Sequence, residues 1–131
     1  MNKQHNKYKK NTSYKRHVLK FGTLGIKAST AGRLTETRVS NLLRLINKSM
    51  KLLSKNTKSV KLWNLIFMNS TLTALSPESR MGKGKGAIYT KSCYIKPGQL
   101  LFEFSGVTVG QLKSFNNFIA KKLPVQTKIV V

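Results

Sequence analysis

Between Glu36 and Glu78 the chain has no acidic residue, and Glu103 is the only other carboxylate available to balance 25 Lys and Arg. A formal charge of +22 on 131 residues cannot be laced into a mixed-sign surface, so the repulsion has to be relieved by a polyanionic partner. The same shortage removes the material for paired-carboxylate or triad chemistry, because Asp is absent and both His lie within the first 17 residues. This composition argues against an enzyme. Apolar residues nevertheless make up 40% of the chain, with one Trp, 4 Tyr and 6 Phe, enough for a modest core. The expectation is one small folded domain over residues 21–131, preceded by a basic extension over residues 1–20.

Cys93 has no second cysteine to pair with, and two distant His cannot complete a four-ligand zinc site around it. It reads as a small buried apolar side chain. Leu62 to Met68, the most apolar window, is interrupted by Asn64 and is far shorter than the roughly 18 residues of a membrane span. The N-terminus has no apolar signal core. No cofactor, metal or membrane partner is expected.

The extension holds Lys9, Lys10, Lys15 and Arg16 among its cations, with Tyr8 and Tyr14 able to stack on bases. His17 to Lys27 alternates apolar residues around Gly22 and Gly25, predicting a bent strand or two short ones. From Thr35 the period changes: Val39, Leu42, Leu43, Ile46, Met50 and Leu53 share one helical stripe, while Arg44, Lys48, Lys51 and Lys55 occupy a roughly opposite one. One face is expected to pack and the other to meet phosphates. Lys61 to Phe67 reads as a strand and Asn69 to Glu78 as a loop. Ala87–Ile95 and Leu100–Phe104 read as a hairpin closed by Lys96-Pro-Gly-Gln99. Thr108 to Leu123 predicts a second amphipathic helix stopped before Pro124, and Lys128 to Val131 a final strand.

Arg80-Met81-Gly82-Lys83-Gly84-Lys85-Gly86 is the segment with the strongest chemical signature. Gly82, Gly84 and Ala87 satisfy a degenerate dinucleotide fingerprint, but that motif must open a helix and a strand pattern follows here. A phosphate-loop ATPase is excluded, since no Ser or Thr follows Gly-Lys at the required spacing. What remains is a glycine-rich loop, residues 79–86, with bare amides and alternating Lys, suited to lie against a sugar-phosphate chain.

Phe21 to Ala28, Gly32-Arg-Leu-Thr35, Pro77 to Gly86, Lys96-Pro-Gly98 with Leu101-Phe-Glu103, and Ala120 to Pro124 occur in the order found in the bacterial-type large-subunit ribosomal protein L-sixteen family, which the chain closely resembles from about Tyr8 onward. The resemblance implies an α+β hammerhead-type fold, with two amphipathic helices on a small mixed or antiparallel sheet. It implies a structural, non-catalytic constituent of the large subunit at the base of the central protuberance. The implied partners are large-subunit rRNA, 5S-type rRNA where present, aminoacyl tRNA and neighbouring large-subunit proteins. Lys9, Lys10, Lys15, Arg16, Lys27, Arg33, Arg44, Lys48, Lys51 and Lys55 become candidate rRNA contacts, and Arg80 to Gly86 the loop at the functional centre. The chain departs from the family pattern at Asn64-Leu-Ile-Phe-Met-Asn69, where the family carries a basic strand ending in Phe-Pro-Asp. Twenty Lys to 5 Arg, with ten Asn, suggest an AT-rich coding genome. That skew points to a mitochondrial-matrix ribosome, with a plastid or a bacterial cytoplasm as alternatives. A free nucleic-acid chaperone would share the charge, and a membrane-surface binder would need a free apolar helix face that both helices instead owe to a core.

Overall fold

The computed structural model describes residues 3, 17–54, 60–78, 82 and 84–131. Among them the order is β1 Leu24–Ala28, β2 Gly32–Thr35, α1 Glu36–Ser54, β3 Lys61–Asn64, β4 Ser70–Ala74, β5 Ala87–Ile95, β6 Leu100–Ser105, α2 Val109–Lys122 and β7 Thr127–Val130. The α+β class is as expected. The strands divide, however, between a four-stranded sheet ordered β3-β6-β1-β7 and a three-stranded sheet ordered β2-β5-β4, with every pair antiparallel.

Both helices follow their periodicity. Val39, Leu42, Ile46 and Met50 of α1 are buried, as are Leu112, Phe115 and Ile119 of α2. Helix α2 opens on a reciprocal cap, in which the Gln111 N–H donates to Thr108 Oγ1 and the Thr108 N–H to Gln111 Oε1. It ends at Leu123, one residue before Pro124 cannot continue it. Helix α2 lies on β1 and β7, α1 lies on β2 and β5, and the helices touch each other. One apolar core, including Ile26, Leu34, Phe102 and Phe104, joins the two layers.

Several local expectations change. The turn at Lys96–Gln99 forms, with Gly98 at φ 84°, but it carries the chain from one sheet to the other instead of closing a hairpin. The Gly98 N–H donates to the Ala28 carbonyl and the Ala28 N–H to the Gln99 carbonyl, so the end of β1 holds the crossover. Ser70 to Ala74, read as loop from its Ser and Thr content, is β4: a neighbouring strand buries Ser70 and Thr71 where local propensity favours a turn. Gly32–Thr35 forms β2 before the helix begins, and in the His17 to Lys27 segment only Leu24 onward is strand.

Cys93 faces the core from β5, and burial pushes its thiol up to about 11. The neutral thiol is therefore the form present at physiological pH. The folded-state value lies above the unfolded one, so its contribution to stability is full below the unfolded pKa of 9.0 and is lost as pH rises toward 11. Relative to Cys93→Ala, the wild type should lose stability between those values. Denaturant unfolding at a series of pH values checks this, and parallel curves for the two proteins would contradict it.

Candidate nucleic-acid interface

The outward face of α1 follows from its sequence pattern. With the apolar stripe in the core, Arg44, Lys48 and Lys51 are exposed and line a shallow groove with Ser40, Leu43 and Asn47. Seven residues at 1.5 Å rise spread these cations over about 10 Å. Lys51 also sits in the last turn, where the helix dipole favours a cation. Glu36, the helix's sole acid, is in the first turn, too distant along the axis to pair with them. Lys55 lies outside the described residues.

The four-stranded sheet contributes a second basic region. Lys27 in β1 stands directly opposite Lys128 in β7, a like-charge cross-strand pair that is unfavourable unless an anion approaches it. Lys128 was not singled out in the sequence, because only the register reveals its partner. Arg33 is exposed on β2, opposite Tyr94, on the other sheet.

On the outer face of that four-stranded sheet, Trp63, Glu103, Gly25 and Val130 form a row across neighbouring strands. The segment leading into β1 straps across this row. Phe21 stacks on Trp63 at a ring-centroid distance of 6.1 Å. Leu19 lies over Gly25, where a Cβ would come within 2.7 Å of the leucine side chain. Between these contacts the fully buried Glu103 carboxylate accepts the N–H of Lys20 at 2.7 Å and that of Phe21 at 2.9 Å. A charge buried in this way is tolerated because both oxygens are satisfied. Glu103 thus fixes where the basic extension leaves the domain. Sequence reasoning missed this role, since nothing local marks a strand glutamate as an acceptor for amides more than 80 residues away. Lys9, Lys10, Lys15 and Arg16 lie outside the described residues. Lys3 donates from Nζ to the Lys85 carbonyl at 3.4 Å, at the long end of the hydrogen-bond range.

The glycine-rich loop is carried on a finger. Strand β5 pairs with β2 from Ser92 to Ile95 and with β4 from Ala87 to Ser92, so the two neighbours overlap only at Ser92 and from Ala87 to Lys91 only β4 accompanies it. This two-stranded stretch extends about 15 Å from the three-stranded sheet. Gly82 and Gly84 have open space where a Cβ would stand, leaving their backbone approachable. Gly86 differs: a Cβ there would collide with the Ala74 carbonyl, so its glycine serves the closure of the finger instead of contact with a ligand. Arg80, Met81 and Lys83 lie outside the described residues. Among the described residues no group of His, Cys, Asp or Glu could hold a metal ion, and no helix is long and apolar enough to cross a membrane.

A folded core with exposed cations along one helix, a cationic cross-strand pair and a glycine-rich segment at the end of a two-stranded finger is an arrangement suited to structured nucleic acid. The sequence model for "Ribosomal protein L16p/L10e" matches residues 1–130. The chain is 43% identical over 120 residues to large ribosomal subunit protein uL16m of Chondrus crispus, spanning 92% of this chain and 87% of that one. It is 34% identical over 110 residues to uL16 of Psychrobacter arcticus, spanning 84% and 76%, and 34% identical over 112 residues to uL16 of Buchnera aphidicola, spanning 86% and 78%. The chain belongs to the ribosomal protein L16p/L10e family.

Replacing Glu103 by Gln should free the strap while leaving the core folded. An amide offers one acceptor oxygen and turns its NH₂ toward the second backbone N–H, at a cost of about 1–3 kcal/mol. The amides of Lys20 and Phe21 should then exchange hydrogen faster, and Trp63 emission should shift to the red. Unchanged exchange at both amides would show that Glu103 does not hold the strap.

Proposed function

We propose that this ribosomal protein holds folded rRNA together near the aminoacyl-tRNA site and the base of the central protuberance, supporting subunit assembly and tRNA positioning. Membership in the L16p/L10e family makes it a structural component of the large ribosomal subunit. The observation that carries the finer reading is the face of α1, where Arg44, Lys48 and Lys51 are exposed with no neighbouring carboxylate on the helix. Phosphates are the partner that an exposed row of like charges favours. Lys55 continues the stripe in sequence, while Lys27, Arg33 and the extension's Lys9, Lys10, Lys15 and Arg16 add further phosphate contacts. Such contacts orient the protein and carry little sequence information.

The finger has a separate task. In this reading Arg80 to Gly86, the sequence that follows the β4 side of the finger and leads into β5, serves the acceptor arm of an aminoacyl tRNA. Arg80 brings a planar, permanently charged guanidinium suited to a phosphate or a base face. The protein performs no reaction itself. Neighbouring large-subunit proteins, and 5S-type rRNA where present, complete its surroundings. The higher identity to the uL16m relative than to the Psychrobacter and Buchnera relatives supports a mitochondrial ribosome as its location.

Two experiments test these roles. The purified protein should bind structured rRNA with an affinity that falls steeply with salt, each phosphate contact contributing about 0.7–0.9 to the log–log slope. Changing Arg44, Lys48 and Lys51 together to Gln should make that slope shallower by about two to three. An unchanged slope would remove α1 from the interface. Arg80→Ala, by contrast, should leave the protein on the subunit and slow aminoacyl-tRNA accommodation or peptide transfer. Undiminished transfer rates in subunits containing the variant would remove the loop's role.

A further inference from the structure

The finger exposes more apolar surface than a free two-stranded ribbon can afford. Leu75 is 56% exposed, Ile88 38% and Tyr89 63%, all at the root of the glycine-rich loop. An isolated pair of strands is marginal in water, so a surface of this kind is completed by whatever lies against it. The register identifies the side chain set out to meet that partner. Leu72 faces Thr90 and Thr73 faces Ile88, so Tyr89 has no cross-strand counterpart. It is the extra residue of a β-bulge, a device that re-aims a side chain out of the ladder.

We propose that Tyr89 is a stacking platform for an unpaired RNA base beside the glycine-rich loop. This rests on the reading that the loop faces RNA, and it adds the side chain that holds a base there. Three observations favour RNA over a protein surface. No acid lies between Glu78 and Glu103, so β5 offers nothing to a cationic partner and suits an anionic one. The exposed Lys91 is two residues along the same strand, placed to meet the phosphates that flank a stacked base. Gly84, five residues before Tyr89, has open space where a Cβ would stand, so a nucleic-acid strand that seats a base on the phenol ring can also approach the Gly84 backbone. Stacking on an aromatic face tolerates any base, which suits a platform for a strand held in place mainly by phosphate contacts.

The test uses large subunits that contain this chain. Ultraviolet cross-linking, digestion and mass spectrometry should find a nucleotide adduct on the peptide bearing Tyr89. In subunits carrying Tyr89→Ala, acylation of ribose 2′-hydroxyls should rise about tenfold at one or two unpaired nucleotides, as loss of an ordinary stacking contact allows, while Tyr89→Phe should keep them protected. Tyr89 unmodified or linked to a neighbouring protein, or Ala-variant subunits with wild-type acylation, would overturn the proposal. If the Ala variant does not enter subunits, the wild-type adduct decides alone. Absence of the wild-type chain from subunits would refute the underlying RNA-facing reading. Its presence there without an adduct would refute only the platform.

Discussion

Charge imbalance is the constraint that the structure accommodates at every level. The three carboxylates cannot neutralise 25 cations, and their placement shows that this is not their use. Glu36 lies in the first turn of α1, where the helix dipole favours an anion. Glu78 is exposed beside the glycine-rich loop. Glu103 is fully buried and holds two backbone amides. Folding therefore relies on the apolar core shared by two sheets and two helices, with cohesion that has to exceed the repulsion among surface cations. Bound phosphate reverses the sign of that surface contribution, which makes RNA part of the protein's energetics as well as its target.

From this core, two features reach outward by different means. The strap is tied to the outer face of the four-stranded sheet by a carboxylate, an aromatic stack and a close leucine–glycine contact, so the basic extension departs from a defined point. The finger departs from the other sheet, where β5 continues past its β2 neighbour and keeps only β4. The two features stand on separate sheets that share one apolar core.

The elements legible in the sequence were those whose signal is local. Val39 to Met50 and Leu112 to Ile119 specify their helices by period, and Pro124 specifies the end of the second. The Pro97-Gly98 turn was equally readable, but the destination of its strands was not: a turn fixes direction over four residues, whereas pairing depends on which sheet buries each face. Ser70 and Thr71 read as loop because their burial depends on β5, some twenty residues away. The charged stripe of α1 could be drawn from helical spacing alone. The Lys27–Lys128 pair, the Glu103 strap and the bulge at Tyr89 required the register, since each depends on residues distant in sequence.

The central claim is that this surplus of charge belongs to a resident of the large ribosomal subunit. Sucrose-gradient sedimentation of an extract after a high-salt wash, with the chain followed by mass spectrometry, measures that directly. The account predicts that the chain migrates with large subunits in about one copy per particle and is released when the rRNA is digested. Recovery at the top of the gradient after the wash, with large subunits otherwise intact, would contradict it and leave a free RNA-binding protein in its place.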